Sequence, residues 1–329
     1  MNNFVVANPR SIDEAIRQAA KSGTYKAGGI DLIDCMKEGL ASPPLLVNLS
    51  ALPGLDTVSA DGAGNLRIGA MVTLAALAEN PVVNEQARAV AEAAARSATP
   101  QIRNMATAGG NLLQRTRCWY YRRVDFNCRR KGGQTCFAHD GENEYHAIFD
   151  NQLCAMVHPS SLAVALIAVE ARLELTGAQG KREVALEQFY LTPEQDLHTG
   201  YHLDAGELVT AVLIAAAPAR RVSTFVKVGQ KESFDWPLAD VAVAMQLANG
   251  RCRKARVILG AAAPVPWRSR RAEAELESHE VTEQTALRAA KASMEGATPL
   301  ERNTYKVAIF ETVVRRAIIA AAAQDGGHA

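Results

Sequence analysis

Four cysteines in a basic, aromatic stretch, Cys118, Cys128, Cys136 and Cys154, constrain this chain more than any other feature. Nine, seven and seventeen residues separate them, and each sits among polar, charged or glycine neighbours rather than on an apolar stripe. A cysteine that packs a core behaves as a small hydrophobe. Four in this setting are expected to be exposed thiols that ligate a metal or cluster, with disulfides or unligated thiols as the alternatives. Arg115 to Lys131 also carries seven basic residues against one acid, Asp125. A cubane iron–sulfur cluster on four thiolates has net negative charge, which nearby arginines would offset while tuning its potential.

The rest of the composition narrows the field. At 329 residues the chain has room for two or three domains. A net charge of +1 gives no global footprint for nucleic acid or an anionic membrane. The opening MNNFVVANPRSIDEAI lacks the pattern of a secretory signal, and no apolar run approaches the roughly 20 residues of a membrane span. Six cysteines in so long a chain without such a signal favour metal ligation over a secreted disulfide scaffold. Cys35 and Cys252 read as packing residues. His139, His146 and His158 flank the cysteine set and read as supporting groups or, alternatively, as ligands. Trp119, Tyr120 and Tyr121 are expected to shield a cluster from solvent.

Local signals give an α+β pattern. Ser11 and Glu14 form an S-x-x-E capping box opening a helix that closes near Gly23. A strand at 24–27 runs into Gly28-Gly29, and a helix at 30–38 follows. Glycines at a strand-to-helix turn let backbone approach a ligand, and the free amides of the helix start favour an anion. A purely structural turn accounts for one such pair equally well. A second glycine element, TPQIRNMATAGGNLLQ at 99–114, places Thr107, Gly110 and Asn111 around another close-approach position. Two such loops could clamp one dinucleotide, and neither is the GxGxxG of a Rossmann unit. Further on, strands are expected near 171–176, 182–186, 207–215, 222–228, 239–248 and 252–261, with Asn249-Gly250 as a type I′ hairpin turn. Helices at 160–169, 268–277, 284–295 and 303–323 complete the pattern.

AGGIDLIDCMKEG at 27–39, IRNMATAGGN at 102–111 and FVKVGQKESFDWPLADVAVA at 225–244 together resemble the flavoprotein subunit of molybdenum hydroxylases, the xanthine dehydrogenase and carbon monoxide dehydrogenase superfamily. The likeness covers nearly the entire chain. The insertion CWYYRRVDFNCRRKGGQTC and the later CAMVHPSSLA resemble the branch whose flavin subunit carries an extra [4Fe–4S] cluster, with bacterial periplasmic aldehyde oxidoreductases the best match. A 4-hydroxybenzoyl-CoA reductase-like or xanthine dehydrogenase-like enzyme is the runner-up.

The resemblance implies a two-part FAD-binding region (PCMH-like) at 1–54 and 55–218, an iron–sulfur insertion at about 115–157, and a C-terminal α+β domain at 219–329. It implies FAD held by Lys26, Ala27, Gly28, Gly29, Ile30, Asp31, Leu32 and Ile33, by Thr107, Gly110 and Asn111, and by Ser161 and Lys227. Cys118, Cys128, Cys136 and Cys154 would hold the cluster. Two positions depart from the family: Ile30 replaces a threonine, and Ser161 an aspartate that reaches the ribose. The implied assembly is a heterotrimer with a small [2Fe–2S] subunit and a large molybdopterin subunit. It passes electrons from an aldehyde through FAD to an external acceptor, with no catalytic residue on this chain. Folding is expected in the cytoplasm, and residence in the periplasm by co-export on a partner's twin-arginine signal. A zinc-stapled nucleic-acid-binding module is the competing class, but paired C-x₂₋₄-C spacing is absent.

Overall fold

A computed structural model gives the fold for residues 1–218, 220–231 and 234–325. The first two strands of the chain and the helices after them follow the glycine and cap signals closely. β1 (Val5–Ala7), β2 (Gly23–Lys26) and β3 (Leu45–Asn48) form a parallel sheet in the order β1-β3-β2. α1 (Ile12–Ala19) and α2 (Ile30–Lys37) make the crossovers. Ser11 Oγ accepts the Glu14 amide at 3.2 Å. The reciprocal half of the expected box is diverted, because the Glu14 carboxylate accepts from Arg10 N at 2.7 Å.

The second unit is a five-stranded antiparallel sheet in the order β4-β5-β8-β6-β7. Its strands are β4 (Val58–Ala60), β5 (Leu66–Gly69), β6 (Arg172–Gly177), β7 (Gly180–Ala185) and β8 (Leu208–Ile214). Between β5 and β6 lie α3 (Leu74–Glu79), α4 (Pro81–Gln86), α5 (Arg88–Ala95), α6 (Pro100–Arg103), α7 (Ala108–Leu112), α8 (Trp119–Arg122) and α9 (Ser161–Ala168); α10 (Leu186–Phe189) follows β7. Thr73, Thr99, Thr107 and Ser160 each cap the helix that follows, their side-chain oxygens accepting an N–H three residues on. Such a cap contributes about 1 kcal/mol.

The C-terminal unit is a four-stranded antiparallel sheet, β9 (Arg221–Val228), β10 (Ala239–Ala248), β11 (Arg251–Gly260) and β12 (Trp267–Arg268), in the order β12-β11-β10-β9. Asn249 and Gly250 turn the β10–β11 hairpin with φ of 52° and 74°. Both faces of this sheet are covered, so β10 is apolar at nearly every position. Phe225, Ala242, Ala244 and Ile258 pack with α5 and α9. Val241, Val243, Met245 and Leu259 pack with α11 (Arg270–Leu276), α12 (Glu283–Ser293) and α13 (Tyr305–Ala322). The alternation follows from side chains pointing to opposite faces along a strand. Among the described residues no helix is long and apolar enough to cross a membrane.

The cysteine-bearing segment is not the exposed loop that its polarity suggests. Cys128 and Cys154 are buried, and Cys118 and Cys136 are half-buried. They lie around a small core of Tyr120, Ala138 and Ala155 with Trp119, Phe126, Phe137 and Leu300 against it. The aromatic side chains supply the apolar surface that the flanking charges hide from a reading of the sequence. Cys35 and Cys252 are both buried; Cys252 packs in the core of the C-terminal sheet, whereas Cys35 accepts from Arg122 Nη1 at 3.2 Å.

Candidate functional site

The two glycine loops meet at the wall of one cavity of about 670 Å³. Its lining includes Ala27, Gly28, Gly29, Ile30, Asp31 and Leu32 from the first loop and Thr107, Gly110 and Asn111 from the second. Ser161 and Lys227 also line it. Lys26 and Ile33 are not in the wall; both side chains lie against Gly29, and Lys26 Nζ reaches Asn48 Oδ1 at 3.4 Å. Gly29 adopts φ of 82° at the N-cap of α2, a conformation that glycine takes without strain. It leaves the first amides of α2 free at the cavity edge.

The glycines differ in what they permit. A Cβ on Gly28 would sit 1.8 Å from the carbonyl oxygen of Met105, so this glycine brings the two loops into backbone contact. A Cβ on Gly110 would meet only Thr107 Oγ1 at 3.0 Å and Ala27 Cβ at 3.7 Å, leaving its other side to the cavity. Thr107 Oγ1 also accepts the Gly110 amide at 3.2 Å, and Asn111 Oδ1 accepts from Ser160 Oγ at 2.6 Å.

Asp31 is engaged by protein donors. Its carboxylate accepts from Arg115 N at 2.8 Å, Arg117 Nη1 at 2.5 Å and Arg122 Nη2 at 2.6 Å. Burial alone would raise its pKa, but the Arg117 charge, the Arg115 amide and Arg122 hold it below the ordinary carboxylate range. Arg122 also reaches Asp34 and Glu38. The basic stretch is thus largely consumed internally: Arg115 and Arg130 reach carbonyls at 198–199, and Arg129 those of Gln134 and Leu153. That leaves a poor surface for nucleic acid; Arg130 acts electrostatically on the Cys154 thiol, and Arg122 and Arg117 on that of Cys35.

Ser161 Oγ donates to the fully buried Asp240 Oδ2. Burial raises the Asp240 carboxyl to about 6, although Ser161 and Lys227 oppose the shift. Burial also lowers the Lys227 pKa, Asp240 and Asp235 opposing it, and Nζ donates to the Arg96 carbonyl at 3.0 Å. Tyr201, stacked by Arg115, and Trp236, under the Arg117 guanidinium at 4.9 Å, complete the wall. Asp240 could have been singled out in the sequence as a carboxylate inside the apolar run LADVAVAM; Tyr201 and Trp236 carry no local signal.

A second cavity of about 410 Å³ shares Arg117, Pro159, Asp235, Trp236 and Pro237 with the first and extends to Cys118 and His146. The thiols gather behind it. Cys136 and Cys154 share a hydrogen bond, which lowers the Cys136 thiol to about 5 and raises that of Cys154. The amides of Ala155 and Ala138 add to the stabilisation of the Cys136 thiolate. Burial pushes Cys118 up to about 11, against hydrogen bonds from the Tyr121 and Tyr120 amides. Cys118 Sγ lies 3.3 Å from His146 Nε2. His139 instead contacts the Asn151 carbonyl, and His158 Nδ1 accepts the Ser160 amide. Among the described residues no three His, Cys, Asp or Glu side chains converge on a single ion position.

A cavity walled by two glycine loops, with Ser161 and Lys227 in its lining, suits a protein that binds a dinucleotide cofactor. Residues 2–216 match the FAD binding domain in molybdopterin dehydrogenase, and residues 224–321 the CO dehydrogenase flavoprotein C-terminal domain. The chain belongs to the molybdenum hydroxylase family as an FAD-binding oxidoreductase subunit. It is 33% identical over 310 residues to the aldehyde oxidoreductase FAD-binding subunit PaoB of Escherichia coli K12, covering 93% of this chain and 94% of that protein. It is 26% identical to the carbon monoxide dehydrogenase medium chain of Hydrogenophaga pseudoflava, with 95% of each covered. A solved structure of carbon monoxide dehydrogenase from the same organism superposes with a TM-score of 0.77 at 27% identity, covering 98% of both chains.

Proposed function

We propose that this chain is the FAD- and [4Fe–4S]-containing electron-transfer subunit of a molybdenum-dependent aldehyde oxidoreductase. The observation that carries the substrate class is the 33% identity to an aldehyde oxidoreductase subunit along almost its full length. Bound FAD supplies the electron exchange that links a partner's molybdenum and [2Fe–2S] centres to an external acceptor. The chain's own residues bind and orient: the first amides of α2 and the Gly110 backbone face the cavity, and Ser161 and Lys227 also line it. Tyr201 and Trp236 line its wall with aromatic surface.

The cysteine set supports the cubane reading through its chemistry, four thiols within an aromatic shell. One Zn²⁺ would draw its thiolates to about 2.3 Å from one point. Each thiolate of a cubane binds its own iron corner, so the four stand farther apart. Cys136 and Cys154, which share a hydrogen bond, would move apart to take separate corners, within an aromatic shell that surrounds the set. A cluster held there supplies one-electron chemistry.

Anaerobic purification with a small [2Fe–2S] and a large molybdopterin subunit tests the proposal. About four irons and four sulfides beyond the partners' content are expected on this chain, and Cys136→Ser should deplete them. Iron that survives this change refutes the ligand assignment, and aldehyde turnover by the isolated chain refutes the subunit reading. We also propose co-export of the assembled trimer to the periplasm on a partner's signal; a chain that fractionates with cytoplasm when all three subunits are present refutes it.

A further inference from the structure

We infer that Asp240 is a positioning residue for the bound dinucleotide: it takes the proton of the Ser161 hydroxyl, so that Ser161 Oγ meets the cavity as an acceptor for a hydroxyl group on the cofactor's sugar chains. The inference rests on the FAD reading above and is independent of the cysteine set.

Asp240 stands in a row across the C-terminal sheet, paired with Lys227 on β9 and with Gly260 on β11. A Cβ at position 260 would lie 1.9 Å from Asp240 Oδ1, so only glycine there admits the carboxyl. The placement is costly, because Asp240 is 1% exposed and Oδ1 has no partner among the described residues. Lys227 and Lys306 act on it electrostatically, but both direct their hydrogen bonds elsewhere. Lys227 Nζ donates to the Arg96 carbonyl at 3.0 Å, and Lys306 Nζ, on α13, to the carbonyls of His146 and Ala261 at 2.9 and 2.5 Å. Among the described residues the one side chain that hydrogen-bonds to Asp240 is Ser161, at Oδ2.

Ser161 opens α9 and lines the cavity. A hydroxyl has one proton and two lone pairs. Burial raises the Asp240 carboxyl only to about 6, so at pH 8 it is ionised, can only accept, and takes the Ser161 proton. The Ser161 oxygen is left with lone pairs alone, which suit a donor on the ligand and repel a phosphate oxygen. Its neighbour is set in the opposite sense. Ser160 Oγ accepts the Ala163 amide at 3.0 Å and donates to Asn111 Oδ1 at 2.6 Å. With Oδ1 engaged, the amide nitrogen of Asn111 is the end left for a ligand in the same cavity. A sugar hydroxyl can donate to Ser161 and accept from Asn111, whereas a phosphate oxygen can do only the second.

The test is FAD titrated at pH 8 into the full chain stripped of flavin, followed by flavin fluorescence, for wild type, Ser161→Ala, Asp240→Val and the double variant. Ser161→Ala is expected to weaken FAD binding about tenfold, the loss of one hydrogen bond. Asp240→Val, which suits an apolar strand and accepts nothing, is expected to weaken it by a similar factor. The double variant should then bind no more weakly than Ser161→Ala. An Asp240 that only braces the sheet adds its own loss in the Ser161→Ala background, and that result overturns the inference. Wild-type affinity in either single variant also overturns it. Should Asp240→Val fail to fold, Asp240→Ala takes its place in the cycle with the same expectations. An FAD analogue carrying a 2′,3′-dideoxyribose locates the hydroxyl: an Asp240 effect that vanishes supports the inference with the partner on the ribose, and one that persists supports it with the partner on the ribityl chain. Wild type that takes up no FAD removes the cofactor reading itself.

Discussion

Replacing Asp31 with Asn separates two roles that the sequence could not distinguish, a contact to the cofactor and a clamp between the first glycine loop and the insertion. The substitution preserves shape and removes the charge that holds Arg117 and Arg122. Three donors converge on this carboxylate, and each charge-assisted hydrogen bond contributes about 1.5–3 kcal/mol when lost alone. The losses do not add, because Arg122 keeps Asp34 and Glu38 and Arg117 keeps Gln114. Breaking a buried pair by removing one partner costs about 3–5 kcal/mol, and the lower end suits a site with these residual partners. For a chain of this size that corresponds to a fall in melting temperature of roughly 4–7 °C.

The clamp is made entirely by protein groups, so the loss should be the same in FAD-loaded and FAD-stripped protein, measured by calorimetry. The pH dependence has a definite sign. Because the folded carboxyl is held below its ordinary range, its stabilisation is present above the unfolded value and is lost as pH falls through the folded one. The difference between wild type and D31N should therefore close in acid. Stripped D31N melting with stripped wild type, while the loaded variant loses FAD, would show that Asp31 serves the cofactor and would refute the clamp.

Gly110→Val should lower FAD occupancy, read by absorbance after desalting, with little loss of folding. Gly28→Ala should destabilise the stripped protein itself, because its Cβ collides with the Met105 backbone. Asp240→Asn should flatten the urea-midpoint profile between pH 4 and 6: burial raises this carboxyl to about 6, so its contribution is full below the unfolded value and lost as pH rises through the folded one. A variant whose profile parallels wild type across that range would show that Asp240 is not the group responsible.

Signals carried by a few adjacent residues were legible in the sequence. Asn249-Gly250 turns its hairpin, Ser11 caps α1, and Gly28-Gly29 opens α2 at the edge of a cavity. What escaped was set by partners far along the chain. Asp31 sits beside the first glycine pair, where a ligand contact is the natural expectation, yet its three donors come from residues 115–122. The cysteines stand among charges, and only folding turns those charges toward acids and carbonyls and leaves the aromatic rings around the thiols. Asp240 stands inside the apolar run LADVAVAM, but that it and Lys306 are buried, and against what, depends on α9, β10 and α13 coming together.

The insertion is rooted in the part of the chain made last. Ile148 and Phe149 belong to the core of the C-terminal sheet, Phe149 stacks on Trp267, and Thr298 donates to the Ile148 carbonyl at 2.7 Å. Synthesis runs from the N-terminus at about 5–20 residues per second, so Cys154 precedes Lys306 out of the ribosome by on the order of ten seconds. During that interval the four thiols have their aromatic neighbours but lack the helix that backs them. The order of synthesis therefore makes the docking of α13, through Lys306 to the His146 and Ala261 carbonyls, the step that completes the packing behind the cysteine-bearing segment.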